Sequence, residues 1–472
     1  MKKQMRLNAL DMNCVGCCPG LWLHPEDQTI HYNTLEYWTE MARTLERGFF
    51  DALFIADIYG IYDVYGGNAD AAFRNAVEFP VNDPFLLAPA MAMVTKHLSF
   101  GITGTVTYEP PYSFARRLST LDHLTNGRIA WNIVTGYLES AAKAFGQHEQ
   151  LPHDERYELA NEYMEVVYKL WEGSWEDDAV LRDKVNRIFA RPEKIHKVRH
   201  QGKYFRMEAY HICEPSPQRT PVLFQAGASS KGRQFAAEHA ECVFISGSNR
   251  KRVAGIVSDL RKRAAEHGRD PDSLVIFTGL AVVTGQTDAE AQAKLADYRK
   301  HVSIEGALAL FGGYMGIDFA KYDPDQTLEY VEIDAIQTFM EEFTRADPTR
   351  RWTLREIAEY LGTGKSTIAG SPTTVADELV GWMDETGVDG FNIRYIVSPG
   401  DINAFVDLIV PELQRRGVYK TSYEEGTFRE KLYGKGRNYL PDDHPAANYR
   451  YGRPKFDSST VSTDCASAVS HK

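Results

Sequence analysis

PVLFQAGASSKGRQFAAEHAECVFISG, residues 221–247, decides the fold. An apolar run ends in Gly-Ala-Ser-Ser, an amphipathic stretch follows, and a second apolar run closes the segment. PVLFQAG (221–227) and CVFISG (242–247) are apolar almost throughout, as strands covered on both faces are. Between them lies a helical pattern, so the unit reads strand, helix, strand, the building block of a parallel sheet.

Working outward, the same alternation recurs along the chain. Further strand candidates are MRLNALDM (5–12), ALFIAD (52–57), LSFGITGTVT (98–107), RIAWNIVT (128–135), LVIFTGLAVV (274–283) and GFNIRYIV (390–397). Asn33 or Thr34 can cap a helix whose Leu35, Trp38, Met41, Ala42 and Leu45 share one face, and Gly48 stops it. A helix over 154–172 places Tyr157, Ala160, Tyr163, Met164, Val167, Tyr168 and Trp171 on one side. Helices over 373–386 and 401–416 bracket the last strand. Eight such units close most economically as an α/β (β/α)8 TIM barrel, expected over residues 1–445. Two intervals, near 173–220 and 300–370, are too long for simple loops and read as insertions. Residues 446–472 read as a polar C-terminal tail without a catalytic part.

Composition narrows the function. Of 472 residues, 43% are hydrophobic and 25% charged, ample for a packed core. A net charge of −12 argues against nucleic acid and against an anionic membrane surface, so the partner is expected to be a small molecule. No apolar run is long enough for a membrane span, and MKKQMRLNALDMN reads into a strand rather than a signal core. A cytoplasmic protein is the expectation. Six scattered cysteines suit reduced thiols better than a disulfide framework.

Several motifs bear on chemistry. GTGKST (362–367) resembles a phosphate loop, but Glu359 stands where the motif needs glycine. No G-x-G-x-x-G follows a strand, so any reducing equivalents the chain uses are expected from another protein. Cys14, Cys17 and Cys18 follow the first strand without a second ligand pair at zinc spacing, so no metal is expected. Ser229 and Ser230 stand at a helix start beside Lys231, where free N–H groups suit a phosphate; the same serines equally suit an ordinary cap. His153 and Tyr157 lie one helical turn apart and can address one ligand. Asp57 ends an apolar strand, which places it either at a solvent-facing mouth or in a loop cap. Thr103, Thr105, Asn132 and Thr135 offer neutral hydrogen-bonding groups suited to a flavin ring edge.

LERGFFDALFIAD (45–57), ARRLSTLDHLTNGRIAWNIVTGY (115–137), HDERYELANEYMEVVYKLWEGSWEDDAV (153–180), CEPSPQRTPVLFQAGASSKGRQFAAEHAE (213–241) and VADELVGWMDETGVDGFNI (375–393) closely resemble one group. It comprises the nitrilotriacetate, dibenzothiophene-sulfone and dimethyl-sulfide monooxygenases of the bacterial-luciferase-like superfamily. The resemblance runs from about residue 5 to 445. It implies a luciferase-like barrel with insertions, FMN arriving as FMNH2 from a separate NAD(P)H:FMN reductase component, O2 as co-substrate, and a homodimer or homotetramer. Asp57, Thr103, His153, Tyr157 and Ser229 match the flavin-contacting set; Ser230 and Asn132 join it on local chemistry. The implied reaction is oxygen transfer to an electron-rich sulfur, or to carbon beside sulfur or nitrogen, with C–S or C–N cleavage. A small organosulfur compound of the dimethyl-sulfide type is the favoured substrate. An aminopolycarboxylate and a non-catalytic flavin-binding role are the alternatives. Cys17 and Cys18 stand where several relatives carry histidine, so the proton donor is left unassigned.

Overall fold

The computed structural model describes residues 4–451 except 228, 246, 248, 330–342, 345–348 and 365. Its eight barrel strands are β1 Arg6–Met12, β2 Ala52–Ala56, β3 Ser99–Thr105, β4 Ile129–Val134, β5 Val222–Gln225, β6 Cys242–Ile245, β7 Val275–Thr284 and β8 Gly390–Arg394. All are parallel, each pairs with its chain neighbours, and β8 returns to β1, so the ring is closed. Every expected barrel strand is present. One strand was not foreseen: β7 overshoots the ring, and its Ala281–Thr284 end pairs with Thr367–Gly370.

Alternation along each strand sorts side chains inward and outward. Leu10, Phe54, Phe224, Phe244 and Phe277 meet inside the ring, with Phe54 edge-on to Phe224 at 5.5 Å and to Phe244 at 5.8 Å. The end of the barrel where the strands begin is plugged by the short helix Phe428–Tyr433, whose Phe428 stacks on Phe224 at 6.2 Å. Only the opposite end, where the strands finish, is left to receive a ligand.

Helices cover the outside as the sequence implies, with details that differ. Thr34, rather than Asn33, caps Leu35–Arg47, accepting from the Tyr37 N–H at 3.4 Å. Leu35 is 59% exposed, a correction to its expected inward face: it is the first helical residue and lies in a stretch, 33–36, that is exposed throughout. The helix His153–Trp171 buries all seven residues expected of it. The segment expected as a helix over 401–416 is interrupted: Phe405–Ile409 is π-helical, just before Pro411, whose missing N–H disturbs the ladder.

Within 173–220 lie two antiparallel hairpins, Val180–Asp183 with Ile188–Ala190 and Val198–Gln201 with Arg206–Ala209. Within 300–370, helices Ile304–Met315 and Leu354–Gly362 share an apolar cluster including Leu308, Phe311, Phe343 and Ile357. The first residues of the tail read from 446 are packed: Pro445–Tyr449 forms a 3-10 turn, and Arg450 Nε meets Glu172 Oε2 at 2.5 Å. Residues 452–472 lie outside the described residues. Among the described residues, no helix is long and apolar enough to cross a membrane.

The plug is locked by a buried ion pair, Arg429 Nε to Glu241 Oε1 at 2.6 Å and Nη2 to Oε2 at 2.9 Å, with side chains 1% and 2% exposed. Breaking such a pair from one side leaves an uncompensated buried charge. Glu241→Gln is therefore expected to cost about 3 kcal/mol in urea denaturation; a loss well below about 1 kcal/mol would show that the pair contributes little.

Candidate active site

The inward parity set by Phe54 and Phe224 also directs Thr103, Asn132 and Arg394 into the barrel, because each shares parity with an inward residue of its own strand. Thr103 and Asn132 are register partners on β3 and β4, and Asn132 Nδ2 donates to Thr103 Oγ1 at 2.9 Å. Both are buried, and Asn132 Oδ1 has no partner among the described residues. A buried carbonyl without a donor is costly, so this oxygen is poised to accept a ligand N–H. Thr105, one inward position further on, accepts from the Thr107 N–H at 3.3 Å. Thr135 offers its backbone carbonyl to Thr107 at 2.7 Å.

Beyond β5, Ser229 caps the helix Ser230–His239, its Oγ accepting from the Gly232 N–H at 3.0 Å. The same hydroxyl lies 3.3 Å from His153 Nε2. His153 and Tyr157 rings meet edge-on at 5.2 Å. Burial pushes the Tyr157 phenol up, partly offset by hydrogen bonds with Ser229 and Gln225. Glycine is required where the loop doubles back: a Cβ on Gly232 would stand 2.8 Å from the Tyr157 hydroxyl and 2.9 Å from Gly227 Cα. His153, Tyr157, Ser229 and Ser230 are thus gathered at one helix start. The backbone N–H groups of Ser230 and Lys231 have no acceptor within the helix, by the geometry of a first turn.

Asp57 stands just past the end of β2, half-buried. Burial raises it to about 8, with Asp83 and Glu109 adding and the Ile58 N–H opposing. Burial thus favours its protonated form near pH 7, while the hydrogen bond from the Ile58 N–H is of the kind a loop cap makes. GTGKST proves the reverse of a phosphate loop, since a helix precedes it and a strand follows.

The most charged part of the mouth joins Arg394, a candidate in the sequence whose direction could not be read there, to Asp11 and Glu78, which the sequence did not mark. Arg394 donates to the Cys17 carbonyl at 3.4 Å. Burial lowers its guanidinium, but Cys17, Cys18, Tyr314 and Glu78 outweigh this and hold it charged. Glu78, buried at φ 46°, accepts from the Tyr62 hydroxyl at 2.5 Å and from Tyr314 at 3.3 Å, and Tyr62 meets Tyr137 at 2.7 Å. Nearby Asp11 accepts from the Met12 N–H at 2.7 Å and from the Tyr395 hydroxyl. Burial raises its carboxyl to about 7, against the opposing Tyr395 and Met12 hydrogen bonds. Parity in GFNIRYIV could have given the direction of Arg394; nothing in the sequence marks Glu78, which reaches the cluster through a left-handed turn. His24 and His211 are held elsewhere, by Asp297 at 3.3 Å and Ser119 at 2.9 Å. Arg117 is held by Glu109 at 2.7 Å, while Arg116 is exposed. Among the described residues, no three potential ligands converge on a metal position.

The profile of the luciferase-like monooxygenase family matches residues 18–390. The chain belongs to the luciferase-like monooxygenases. It is 52% identical to dimethyl-sulfide monooxygenase of Hyphomicrobium sulfonivorans over 95% of this chain and 94% of that one. It is equally 52% identical to long-chain alkane monooxygenase of Geobacillus thermodenitrificans, over 95% of this chain and 99% of the relative. The crystal structure of the Hyphomicrobium protein superposes with a TM-score of 0.89 at 51% identity, covering 99% of this chain and 100% of that one. A riboflavin lyase solved with modified FMN and riboflavin superposes at 0.89 with 36% identity, covering 95% and 100%. This luciferase-like monooxygenase is thus an enzyme of known fold with two equally similar relatives of different named substrates.

Because Asp11 is raised from an ordinary 3.8 to about 7, the folded chain holds a proton that the unfolded chain releases. Its contribution is present at acid pH and is lost as pH rises towards about 7, at up to about 1.4 kcal/mol per unit. Asp11→Asn, which keeps the Oδ1 acceptor, is expected to flatten the fall in stability between pH 5 and 7, read by urea denaturation at each pH. An unchanged slope would contradict the buried, protonated Asp11.

Proposed function

We propose that this luciferase-like monooxygenase is the oxygenase component of a two-component system, taking FMN as FMNH2 from a separate NAD(P)H:FMN reductase. The observation that carries the reading is the pairing of two complementary receptors at one barrel mouth. The helix start at Ser229 and Ser230, with His153 and Tyr157 beside it, fits the phosphate end. The Thr103 and Asn132 pair, with its orphaned Oδ1, fits the hydrogen-bonding edge of a flavin ring. Asp57 fits as a neutral donor on the β2 side.

When bound, reduced FMN supplies the electrons that activate O2. The chain's part is to hold and shield. The N–H groups at Ser230 and Lys231 and the Ser229 hydroxyl would fix the phosphate, and Asn132 Oδ1 would orient the ring. Phenylalanines below exclude water from the barrel floor. Asp57, protonated near neutral pH, can deliver a proton at its carboxyl oxygen and recover it from solvent.

The substrate is a small neutral thioether, oxygenated beside sulfur so that a C–S bond breaks. Three arginines near the mouth are engaged: Arg394 by Cys17 and Glu78, Arg117 by Glu109, Arg233 by Asp259 at 2.6 Å. A multiply anionic aminopolycarboxylate needs several uncommitted cations. The described lining is rich in tyrosine, threonine and cysteine, which suits a compact polarisable sulfur better than a long alkyl chain.

Purified protein, a flavin reductase, NADH and FMN under air, offered dimethyl sulfide, a long-chain alkane and nitrilotriacetate, separates the readings. Thioether-dependent O2 uptake with thiol release is expected. Alkane hydroxylation without a thioether response overturns the substrate, and FMN binding without any product overturns the oxygenase. Ser229→Asp, which sets a negative charge against the phosphate, is expected to weaken FMN binding about tenfold or more; an unchanged affinity contradicts the phosphate assignment.

A further inference from the structure

We propose that Tyr137, Tyr62 and Glu78 form a proton relay at the barrel mouth that takes the hydroxyl proton from an oxygenated thioether and so drives the break of its C–S bond; the substrate half of this rests on the thioether reading above. The three residues come from separate stretches that meet where the strands finish. Tyr62 lies in the loop after β2, and Tyr137 stands just past β4. Glu78 precedes a segment laid over the end of β1: Val81 bridges Cys14, and the Asn82 N–H donates to the Asn13 carbonyl at 2.8 Å. Arg156, on the helix that carries His153 and Tyr157, donates to the Gly136 carbonyl. The Tyr137 loop is thereby tied to the elements that gather at Ser229.

The order of donors fixes which way a proton runs. Glu78 accepts on both oxygens, from Tyr62 at 2.5 Å and from Tyr314 at 3.3 Å, as a carboxylate does. The Tyr62 hydroxyl has one proton, and it is committed to Glu78. In its 2.7 Å contact with Tyr137 the Tyr62 oxygen is therefore the acceptor and Tyr137 the donor. The chain thus points inward, from half-buried Tyr137 to buried Tyr62 and Glu78. Among the described residues no group donates to the Tyr137 oxygen, so its lone pair is open to a ligand O–H. A carboxylate at the inner end and an open acceptor at the outer end make this chain a base.

The relay is also held in place. Glu78 sits at φ 46°, a conformation that side chains seldom adopt and that persists only where the surroundings enforce it. A Cβ on Gly313 would stand 2.1 Å from the Tyr62 ring, so glycine is what lets the helix Ile304–Met315 lie against it. Tyr314, from that helix, meets Tyr62 edge-on at 5.9 Å and Tyr137 at 6.0 Å.

Oxygenation beside sulfur gives R–S–CH2–OH. The Tyr137 oxygen takes the hydroxyl proton as Tyr137 passes its own to Tyr62 and Tyr62 passes its own to Glu78. The lone pair left on the substrate oxygen forms C=O, the C–S bond breaks, and its electron pair leaves on sulfur. The proton on Glu78 returns along the chain to the thiolate, giving R–SH and formaldehyde with the relay reset. No electron enters or leaves the protein in this step. Tyr137 is the catalytic residue, and Tyr62 and Glu78 are positioning residues that act through it.

The full-length protein is given a flavin reductase, NADH, FMN, air and isotope-labelled dimethyl sulfide, then quenched in acid, and the hydroxymethyl thioether, thiol and formaldehyde are counted by NMR against the O2 consumed. Wild type is expected to release thiol in step with O2. Glu78→Gln and Tyr62→Phe are expected to consume O2 with substrate yet release the hydroxymethyl thioether first, with thiol formation slowed about tenfold or more. Thiol in step with O2 in both variants overturns the relay, as does loss of O2 uptake in both with FMN binding intact; where one variant does not fold, the other decides. A second measurement omits flavin and O2 and follows, by NMR exchange, methanethiol and formaldehyde combining to their adduct and parting again. Acceleration by wild type and by neither variant sustains the relay even where dimethyl sulfide is not turned over, a result that sinks the thioether reading alone. No acceleration by wild type overturns the relay and leaves that reading standing.

Discussion

A closed parallel ladder is the constraint on which everything else rests. When β6 pairs with both β5 and β7, and β8 returns to β1, no strand edge is left, and the backbone of the ring is satisfied internally. The interior must then be filled, and phenylalanines from four strands do so. Arg429, tied to Glu241, holds a helical plug over one end. Chemistry is thereby confined to the other end, where inward parity delivers Thr103, Asn132 and Arg394 without any choice by the loops.

At that end the mouth is divided by charge. The β5 side gathers neutral and weakly basic donors at a helix start, the arrangement an anion seeks. The β1 and β8 side concentrates Asp11, Glu78, Arg394 and a set of tyrosines whose acidities burial shifts. Asp57 and Asp11 are both protonated well above an ordinary carboxylate, so the mouth carries fewer charges than its composition suggests. A neutral substrate and a proton-donating wall are compatible with that balance.

Much of this was legible in the sequence because period and parity are local properties. The eight barrel strands were readable from apolar runs, and a cap at Asn33 or Thr34 from its position before an amphipathic stretch. His153, Tyr157 and Ser229 were readable as candidates, but that they meet depends on two elements 76 residues apart. The strand Thr367–Gly370 was hidden because it exists only through pairing with an overshooting β7. Glu78 was hidden because its place follows from backbone geometry rather than residue pattern. The π-helical break was foreshadowed only by Pro411.

The central claim is that a phosphate anchor after β5 and a ring receptor on β3 and β4 act on one flavin. An anaerobic titration comparing reduced FMN with reduced riboflavin tests it most directly, since the two differ only in the phosphate. The account predicts that reduced FMN binds at least about tenfold more tightly, a difference of about 1.4 kcal/mol for a charge at a helix start. Equal affinities for the two would contradict it.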